Sequence, residues 1–215
     1  MTIEIKKLTL GLATTNAYLV GDTETGDAVQ IDPVDDAPAL KQLADDAGWT
    51  IKLILATHAH FDHVLASREL KALTGAPFAI HTEAVPMLKH LPETAARFGL
   101  PPFPDAAEPD RLLTSERETI QLGALKFETL YTPGHAPGHL SFFMPDQRLV
   151  FSGDALFYNS VGRTDLPGGS SSVLLHSIQT QLLILDDDVR VLSGHGQETT
   201  IGRERLNNPF LRLYR

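Results

Sequence analysis

His58-Ala59-His60-Phe61-Asp62-His63 brings four side chains that can bind a metal ion into six consecutive residues. An apolar segment, residues 51–56, directly precedes it and is predicted to form a buried β-strand. A pattern of this kind arises by chance in a chain of this composition with a probability of about one in a thousand. We therefore interpret the stretch as part of a metal site at the end of a strand, where α/β proteins usually place their sites, rather than as a solvated polar loop.

The composition of the chain excludes several kinds of site and partner. The 215 residues include no cysteine, so a metal must be held by imidazole and carboxylate groups, and a cysteine nucleophile is excluded. The formal net charge is -9 and no basic stripe is visible, so we expect no nucleic-acid partner. The N-terminus lacks the pattern of a signal peptide, and no run of about 18 apolar residues occurs. We expect a cytoplasmic protein without membrane contact.

The pattern of apolar residues predicts an α/β chain with two β-rich halves, and its length fits a single domain over residues 1–215. Strands are predicted at residues 2–10, 16–20, 28–31, 51–56, 78–81, 120–122, 125–131, 140–144, 148–151 and 189–192. Helices are predicted at residues 37–47, 67–73 and 171–185, the last with Ser170 or Ser171 as its N-cap, and a short basic helix is expected to close the chain. Residues 91–110 contain five prolines and are predicted to form a long surface loop.

Three further residues are candidate metal ligands. His135, Asp154 and His195 each follow a predicted strand and a glycine. Glycine lets the backbone turn sharply and approach closely, as a clustered site requires. We therefore expect all three side chains to join the first motif.

The complete set of five imidazoles and two carboxylates suits two metal ions that share a carboxylate, since it exceeds what one four-coordinate zinc can use. His58 and His60 point the same way on an extended segment and can chelate one ion, whereas Asp62 and His63 follow the bend and can reach a second. Asp154 is the bridging candidate. Two metals roughly 3.5 Å apart would share a hydroxide of near-neutral pKa, which predicts hydrolysis of an electrophilic carbonyl. Zinc is our first expectation, with iron and manganese as alternatives.

Together these residues resemble the metallo-β-lactamase superfamily over nearly the whole chain. Four other segments resemble its glyoxalase II branch, including the short bacterial hydroxyacylglutathione hydrolases: Asn16-Ala17-Tyr18-Leu19-Val20, Ile31-Asp32-Pro33-Val34, Thr132-Pro133-Gly134-His135-Ala136-Pro137-Gly138-His139 and Gly162-Arg163-Thr164-Asp165. The resemblance implies a four-layer αββα sandwich and thioester hydrolysis. It assigns His58, His60 and His135 to one metal, Asp62, His63 and His195 to the other, and Asp154 to both. Asp62 and Asp154 are the carboxylates that we expect to take part in catalysis.

The sequence departs from that family in two places. Full-length glyoxalase II enzymes have a C-terminal helical domain that helps to hold glutathione, whereas this chain ends soon after His195, with residues 202–215 as its final segment. The family also commonly has a cysteine where this chain has Val161. We therefore expect the glutathione contacts to differ from those of the longer enzymes.

The candidate substrate contacts leave alternatives open. Arg163 could bind a substrate carboxylate with both arms of its guanidinium, or it could pair with Asp165 as a structural clamp. Tyr158 and Asn159 are candidate substrate contacts near the predicted site.

Two cations near the end of the chain, Arg203 and Arg205, could attract an anionic substrate or stabilise the end of a helix. We favour the second interpretation.

Five polar residues near these motifs are not expected to bind metal. His139 resembles a histidine that orients a ligand, and Asp32 could orient a ligand or hold the edge of a strand. His81, His90 and His176 lack the surroundings of a ligand, and we expect them to lie at the surface or to be hydrogen-bonded within the protein.

The leading functional hypothesis is hydrolysis of S-D-lactoylglutathione or a similar glutathione-derived thioester by a metal-bridging hydroxide. The first alternative is a sulfur dioxygenase that oxidises glutathione persulfide with one iron on His58, His135 and Asp154. Lactone or other ester hydrolysis is a further alternative. β-Lactam hydrolysis is less favoured because such enzymes typically have a cysteine ligand, and a non-catalytic scaffold is less favoured because all seven ligand positions are filled.

Overall fold

A computed structural model describes residues 2–100 and 102–214, and the chain divides into two compact units. The first unit comprises Met1–Leu113 and Gln121–Leu125, and the second comprises Thr114–Ile120 and Lys126–Arg215. The described strands form two six-stranded sheets and one small hairpin.

The first sheet has its strands in chain order. They are β1 (Ile3–Leu10), β2 (Thr15–Asp22), β3 (Asp27–Ile31), β4 (Thr50–Leu55), β5 (Phe78–His81) and β6 (Arg111–Leu113). β1, β2 and β3 are antiparallel neighbours, whereas β3 to β6 run parallel. Parallel neighbours need long crossovers, and helices supply them here. The helices of this unit are α1 (Ala37–Asp46), α2 (Phe61–Val64), α3 (Ser67–Thr74), α4 (Val85–Lys89) and α5 (Leu91–Thr94).

The crossover helices cover the parallel part of the sheet with an apolar core. Asp36 begins α1 by accepting a hydrogen bond from the Ala39 backbone N–H, and Gly75 ends α3 in the left-handed conformation. Leu40 of α1 and Leu70 of α3 are fully buried in the same apolar cluster as Ile54 of β4. This packing fixes the C-terminal end of β4, where the metal-binding motif begins.

In the second sheet, β10 and β13 are parallel neighbours. Its strands are β7 (Thr119–Leu122), β8 (Leu125–Tyr131), β9 (Leu140–Met144), β10 (Leu149–Gly153), β13 (Arg190–Ser193) and β14 (Thr199–Thr200), in the order β14-β13-β10-β9-β8-β7. The strands β11 (Leu156–Phe157) and β12 (Ser160–Val161) form a separate hairpin. The helices are α6 (Ser171–Ser177), which continues as a π-helical turn over Ile178–Leu182, and α7 (Ile201–Asn207).

Most of the elements predicted from the sequence are confirmed to within two residues, and Ser170 is the N-cap of α6. The prediction of a loop over residues 91–110 is wrong in part. That segment begins with α5 and a 3-10 turn at Ala95–Phe98, and among its described residues the remainder has neither helix nor strand. Its Pro92 lies in the first turn of α5, where a missing backbone N–H removes no helical hydrogen bond. The helix predicted over residues 171–185 ends at Leu182 instead.

Within the part of the chain that the structure describes, no helix has both the length and the apolar character needed to cross a bilayer.

Candidate metal centre

The first unit brings two imidazole nitrogens together directly after β4. His58 is fully buried, and its Nε2 lies 3.0 Å from Nδ1 of the partly buried His60. The rings stand almost perpendicular, at 83°. The prediction that the two side chains point the same way is thus confirmed in this unit.

The backbone then turns into α2, which carries Asp62 and His63. Nε2 of the fully buried His63 lies 3.5 Å from Oδ2 of Asp62. Asp62 Oδ2 also accepts a hydrogen bond of 2.7 Å from the hydroxyl of Thr15, at the start of β2. The Thr15 contact fixes the position of the carboxylate from a strand 47 residues away in the chain.

A buried hydrogen-bond network around Asp32 orients two of these histidines. Asp32 Oδ1 accepts from the Thr57 backbone N–H at 2.7 Å, and Oδ2 accepts from the Thr57 hydroxyl at 2.9 Å. The same Oδ2 lies 2.8 Å from His63 Nδ1, while the Thr57 hydroxyl oxygen lies 3.0 Å from His58 Nδ1. A carboxylate can only accept, and the single hydroxyl proton of Thr57 is used on Asp32. Both histidines therefore carry their proton on Nδ1, which leaves each Nε2 available to a metal.

The second unit groups the other three predicted ligands around one carboxylate oxygen. Asp154 Oδ2 lies 3.4 Å from His135 Nε2 and 3.3 Å from His195 Nε2. Asp154 follows β10, where a register shift between Phe151 and Gly153 interrupts the pairing with β13. Irregularities of this kind redirect side chains at strand ends.

Because Gly162 has no side chain, its backbone can pack directly against Asp154 and His135. A Cβ atom on Gly162 would lie 2.0 Å from the Asp154 carbonyl oxygen and 2.9 Å from His135 Nδ1. The residue after it, Arg163, accepts a hydrogen bond of 2.8 Å from His135 Nδ1 on its carbonyl oxygen. The proton of His135 thus also sits on Nδ1, so that Nε2 faces Asp154 as an acceptor.

His139 holds the backbone of Asp154 through a chain of hydrogen bonds. The Asp154 N–H donates to His139 Nε2 at 3.0 Å, so His139 Nδ1 carries the proton and donates to the Thr132 hydroxyl at 2.8 Å. Thr132 then contacts the Ser141 hydroxyl at 2.9 Å, and Ser141 donates to the Ser152 carbonyl at 3.3 Å. His139 thus holds the backbone of a predicted ligand, and its role in orienting that ligand stays a prediction.

The spacing of the donor atoms fits divalent metal ions. Two ligand atoms at 2.0–2.1 Å from a tetrahedral metal lie about 3.3 Å apart. The four donor pairs described above are separated by 3.0, 3.3, 3.4 and 3.5 Å. The pairs that include a carboxylate are longer than ordinary hydrogen bonds of 2.7–3.2 Å. Nitrogen and carboxylate donors at these separations suit divalent transition-metal ions.

Arg163, one of the predicted substrate contacts, is engaged by Asp165. Its Nε donates to Asp165 Oδ1 at 2.7 Å and its Nη2 donates to Oδ2 at 2.6 Å. These hydrogen bonds lower the pKa of the Asp165 carboxyl to about 2 and raise the pKa of the Arg163 guanidinium. The pairing of Arg163 with Asp165, one of the two predicted alternatives, is thus observed. Substrate binding by Arg163 stays a prediction.

Tyr158 and Asn159 form the turn of the β11–β12 hairpin. Asn159 has a φ of +56°, a left-handed conformation that asparagine tolerates. Phe157, just before the turn, contacts the His195 ring with centroids 5.9 Å apart. The hairpin is therefore adjacent to one of the predicted ligands.

Sequence reasoning missed the two threonines that contact predicted ligands, Thr15 and Thr57. Thr57 directly precedes the motif, which is the one sequence signal that could have indicated it. His81, which was not expected to be a ligand, accepts from the Glu83 backbone N–H at 3.1 Å and caps a 3-10 turn.

Comparison with known proteins adds a family and several relatives. The sequence profile of the metallo-beta-lactamase superfamily matches residues 10–195. The chain is 43% identical to hydroxyacylglutathione hydrolase GloC of Haemophilus influenzae, over 91% of the chain and 92% of that protein. It is 31% identical to the mitochondrial persulfide dioxygenase of Homo sapiens, over 93% of the chain and 72% of that protein.

Two solved structures have a similar fold. The B3 metallo-beta-lactamase BLEG-1 matches with a TM-score of 0.91 and 39% identity, covering 97% of this chain and 100% of that one. The di-iron-bound form of TTHA1623 matches with a TM-score of 0.86 and 41% identity, covering 96% and 100%. The predicted α/β fold class is thereby confirmed.

Proposed function

Since the chain belongs to the metallo-beta-lactamase superfamily and is a metal-dependent hydrolase, we propose that it hydrolyses glutathione thioesters, S-D-lactoylglutathione in particular. The observation that carries the proposal is the 43% identity to the Haemophilus influenzae hydroxyacylglutathione hydrolase over nearly the full length of both chains. With a substrate derived from a thiol, we place the reaction in the cytoplasm, where glutathione is kept reduced.

We further propose that seven residues from the two units hold two divalent metal ions, with zinc as the first candidate. Each ion would have three ligands of its own and would share Asp154 with the other ion. The first set is His58, His60 and His135, and the second is Asp62, His63 and His195. The position of Asp154 Oδ2 supports the bridging role, because that single oxygen lies between His135 and His195, which are assigned to different ions.

The side chains of the protein prepare these donors for catalysis. When bound, divalent metal ions supply Lewis acidity and lower the pKa of water toward neutrality. Asp32 and Thr57 keep Nε2 of His58 and His63 free of protons, and the Thr15 hydroxyl holds Asp62 in place. The leaving group is a thiol with a pKa of about 8.5, which departs as the thiolate without a residue to protonate it.

Oxidation of a glutathione persulfide is the second candidate function, because the chain is 31% identical to a persulfide dioxygenase. His58, His135 and Asp154 would then hold one iron, since two histidines and one carboxylate are the ligand set of many iron oxygenases. Metal content and oxygen consumption separate this function from hydrolysis.

The test is thiol release from S-D-lactoylglutathione by protein of measured metal content, with a sample stripped by EDTA beside it. Asp154→Asn is the matched active-site variant, and Asp146→Asn, on an exposed turn of the same unit, is its control. We expect metal-dependent turnover that Asp154→Asn loses and Asp146→Asn retains. With the same samples, oxygen consumption is measured in the presence of glutathione persulfide, and hydrolysis of a chromogenic β-lactam is measured by absorbance.

Two results would overturn the proposal. Protein with two metals per chain that releases no thiol is not this thioesterase. Protein with one iron that consumes oxygen with the persulfide is a dioxygenase.

A further inference from the structure

Arg203, in the first turn of α7, is held in a fixed orientation by three neighbours. Its Nη1 donates to Glu204 Oε1 at 2.6 Å and to Asn159 Oδ1 at 2.9 Å. Its guanidinium carbon lies 3.7 Å from the centroid of the Tyr158 ring. Stacking on an aromatic ring and two charge-assisted or polar hydrogen bonds restrict a side chain that is otherwise flexible.

The base of this arrangement is the buried carboxylate of Glu204, whose side chain is 0% exposed. Beyond Arg203, it accepts from the Thr199 hydroxyl at 2.6 Å, the Asn159 backbone N–H at 2.8 Å and the Asn208 amide at 2.9 Å. Four donors satisfy the buried charge and tie α7 to the hairpin turn. The orientation of Arg203 is therefore set in part by a buried carboxylate and not by surface contacts alone.

One edge of the Arg203 guanidinium makes no hydrogen bond to any residue that the structure describes. Both hydrogen bonds of its side chain use Nη1, and among the described residues neither Nε nor Nη2 of Arg203 makes a hydrogen bond or an ion pair. The side chain is 31% exposed. An Nε–Nη2 edge is the geometry that binds a carboxylate through two parallel hydrogen bonds.

Two other arginines of this unit differ in this respect. The Nε–Nη2 edge of Arg163 is occupied by Asp165. Arg205 donates from Nη2 to the carbonyl oxygens of Leu183 and Leu185, near the end of the preceding helix, and pairs with Asp187. The expected helix-stabilising role thus fits Arg205, whereas no described residue occupies the Nε–Nη2 edge of Arg203.

The Arg203 guanidinium belongs to a row of contacts that reaches a predicted metal ligand. It stacks on Tyr158, Tyr158 follows Phe157 in the chain, and the Phe157 ring contacts His195. Arg203 and His195 are thus both packed against the same hairpin.

We propose that the Nε–Nη2 edge of Arg203, supported by Tyr158, binds a carboxylate in the thiol portion of the substrate and makes the enzyme select anionic thioesters over neutral ones. This inference rests on the proposed thioesterase function. Glutathione carries two carboxylates, so its thioesters belong to the selected class. The residue that performs this role is Arg203, and Arg163 remains in its pair with Asp165.

The kinetic test compares two thioesters with the same acyl group, one of glutathione and one of the neutral thiol N-acetylcysteamine. Arg203→Gln keeps a donor for Glu204 but loses the charge and the second arm, and Arg203→Lys keeps the charge alone. We expect kcat/KM for the glutathione thioester to fall about tenfold in both variants, mainly through KM, because neither side chain can make the two parallel hydrogen bonds to a carboxylate. The value for the neutral thioester is expected to stay unchanged.

Arg190→Gln is the matched control, since Arg190 is an exposed arginine of the same unit that pairs with Glu198. It removes the same charge from the surface, and we expect both substrates to be hydrolysed as by the wild type. An equal loss for the two substrates in the Arg203 variants, or a glutathione-specific loss in Arg190→Gln, would overturn the proposal. If Arg203→Gln fails to fold, Arg203→Lys decides, because its ammonium group can still neutralise Glu204.

A binding measurement separates this inference from the proposed function. The affinity for S-methylglutathione, which has no thioester to hydrolyse, is measured by calorimetry for wild type and Arg203→Lys, with its diethyl ester, which has no carboxylate, as the comparison ligand. We expect about tenfold weaker binding of S-methylglutathione by the variant and no change for the diester. Unchanged binding of S-methylglutathione refutes the role of Arg203 even if thioesters are hydrolysed. Arg203-dependent binding without hydrolysis of any thioester refutes the proposed function and the selection among thioesters, and supports only the binding of a carboxylate by Arg203.

Discussion

Asp32→Asn is expected to weaken metal binding although Asp32 is not a proposed ligand. Asparagine tolerates the positive φ of 54° at this position, so the backbone can remain as it is. The amide nitrogen that replaces Oδ2 donates a hydrogen bond where the carboxylate accepted. His63 Nδ1 then becomes an acceptor, and the proton of the neutral ring moves to Nε2.

The same substitution reverses the direction of the hydrogen bond between residue 32 and the Thr57 hydroxyl. Because the new amide donates to the Thr57 oxygen, the Thr57 proton turns toward His58 Nδ1, 3.0 Å away. His58 Nε2 is then protonated as well. Loss of one orienting partner typically weakens metal binding tenfold to hundredfold. Because Asp32 acts on two histidines, we expect the metal affinity to fall about hundredfold, or ~2.8 kcal/mol, which is the upper end of that range.

Metal affinity is measured by competition with a chromophoric chelator, and histidine tautomers by long-range ¹H–¹⁵N correlation spectra. Asp22→Asn is the control, because Asp22 is also buried in this unit and its carboxylate accepts hydrogen bonds from Glu24 and Thr25 of its own turn. Wild-type metal affinity in Asp32→Asn, with His63 protonated on Nε2, would refute the reasoning that tautomers control binding.

Three further predictions concern the second unit. Asp154→Asn is expected to lose most bound metal and turnover, and retention of both metals on elemental analysis would contradict the bridging role. Gly162→Ala places a methyl group 2.0 Å from the Asp154 carbonyl oxygen, and such overpacking lowers the free energy of unfolding by about 1–3 kcal/mol in denaturant titration; an unchanged midpoint would show that the backbone yields freely. Because the pKa of Asp165 is lowered, its ionised carboxylate stabilises the folded protein at pH values above 3.8, the ordinary pKa of the group. This stabilisation is lost as the pH falls through about 2. A ¹³C titration checks the Asp165 pKa, which returns toward 3.8 in Arg163→Gln; an Asp165 that titrates near 3.8 in the wild type would exclude the pair in solution.

The proposed ligands could be predicted from the sequence because they occur where local patterns are strong. His58 follows a continuous apolar strand, and the glycines before His135 and His195 mark backbone turns at strand ends. Such signals depend on neighbouring residues alone.

Other features depend on contacts between distant residues and could not be predicted. The hydrogen bond from Thr15 to Asp62 joins residues 47 apart, and the orientation of Arg203 depends on a glutamate whose other donors come from three different segments. The strand β6 was missed because three residues carry too little periodicity. The short helices α4 and α5 were missed because each has a proline in its first turn, and proline is also typical of loops.

The hydrogen-bond chain that runs from Asp154 through His139 begins and ends within three residues of the same strand end. The Asp154 amide proton is therefore bonded to a buried imidazole and not to a neighbouring strand, and it can exchange with solvent only when His139 moves away. Deuterium exchange at this one amide consequently reports local opening of the segment that carries Asp154, on its own timescale and without any substrate. Stability at this point of the molecule can thus be followed separately from the unfolding of the sheet.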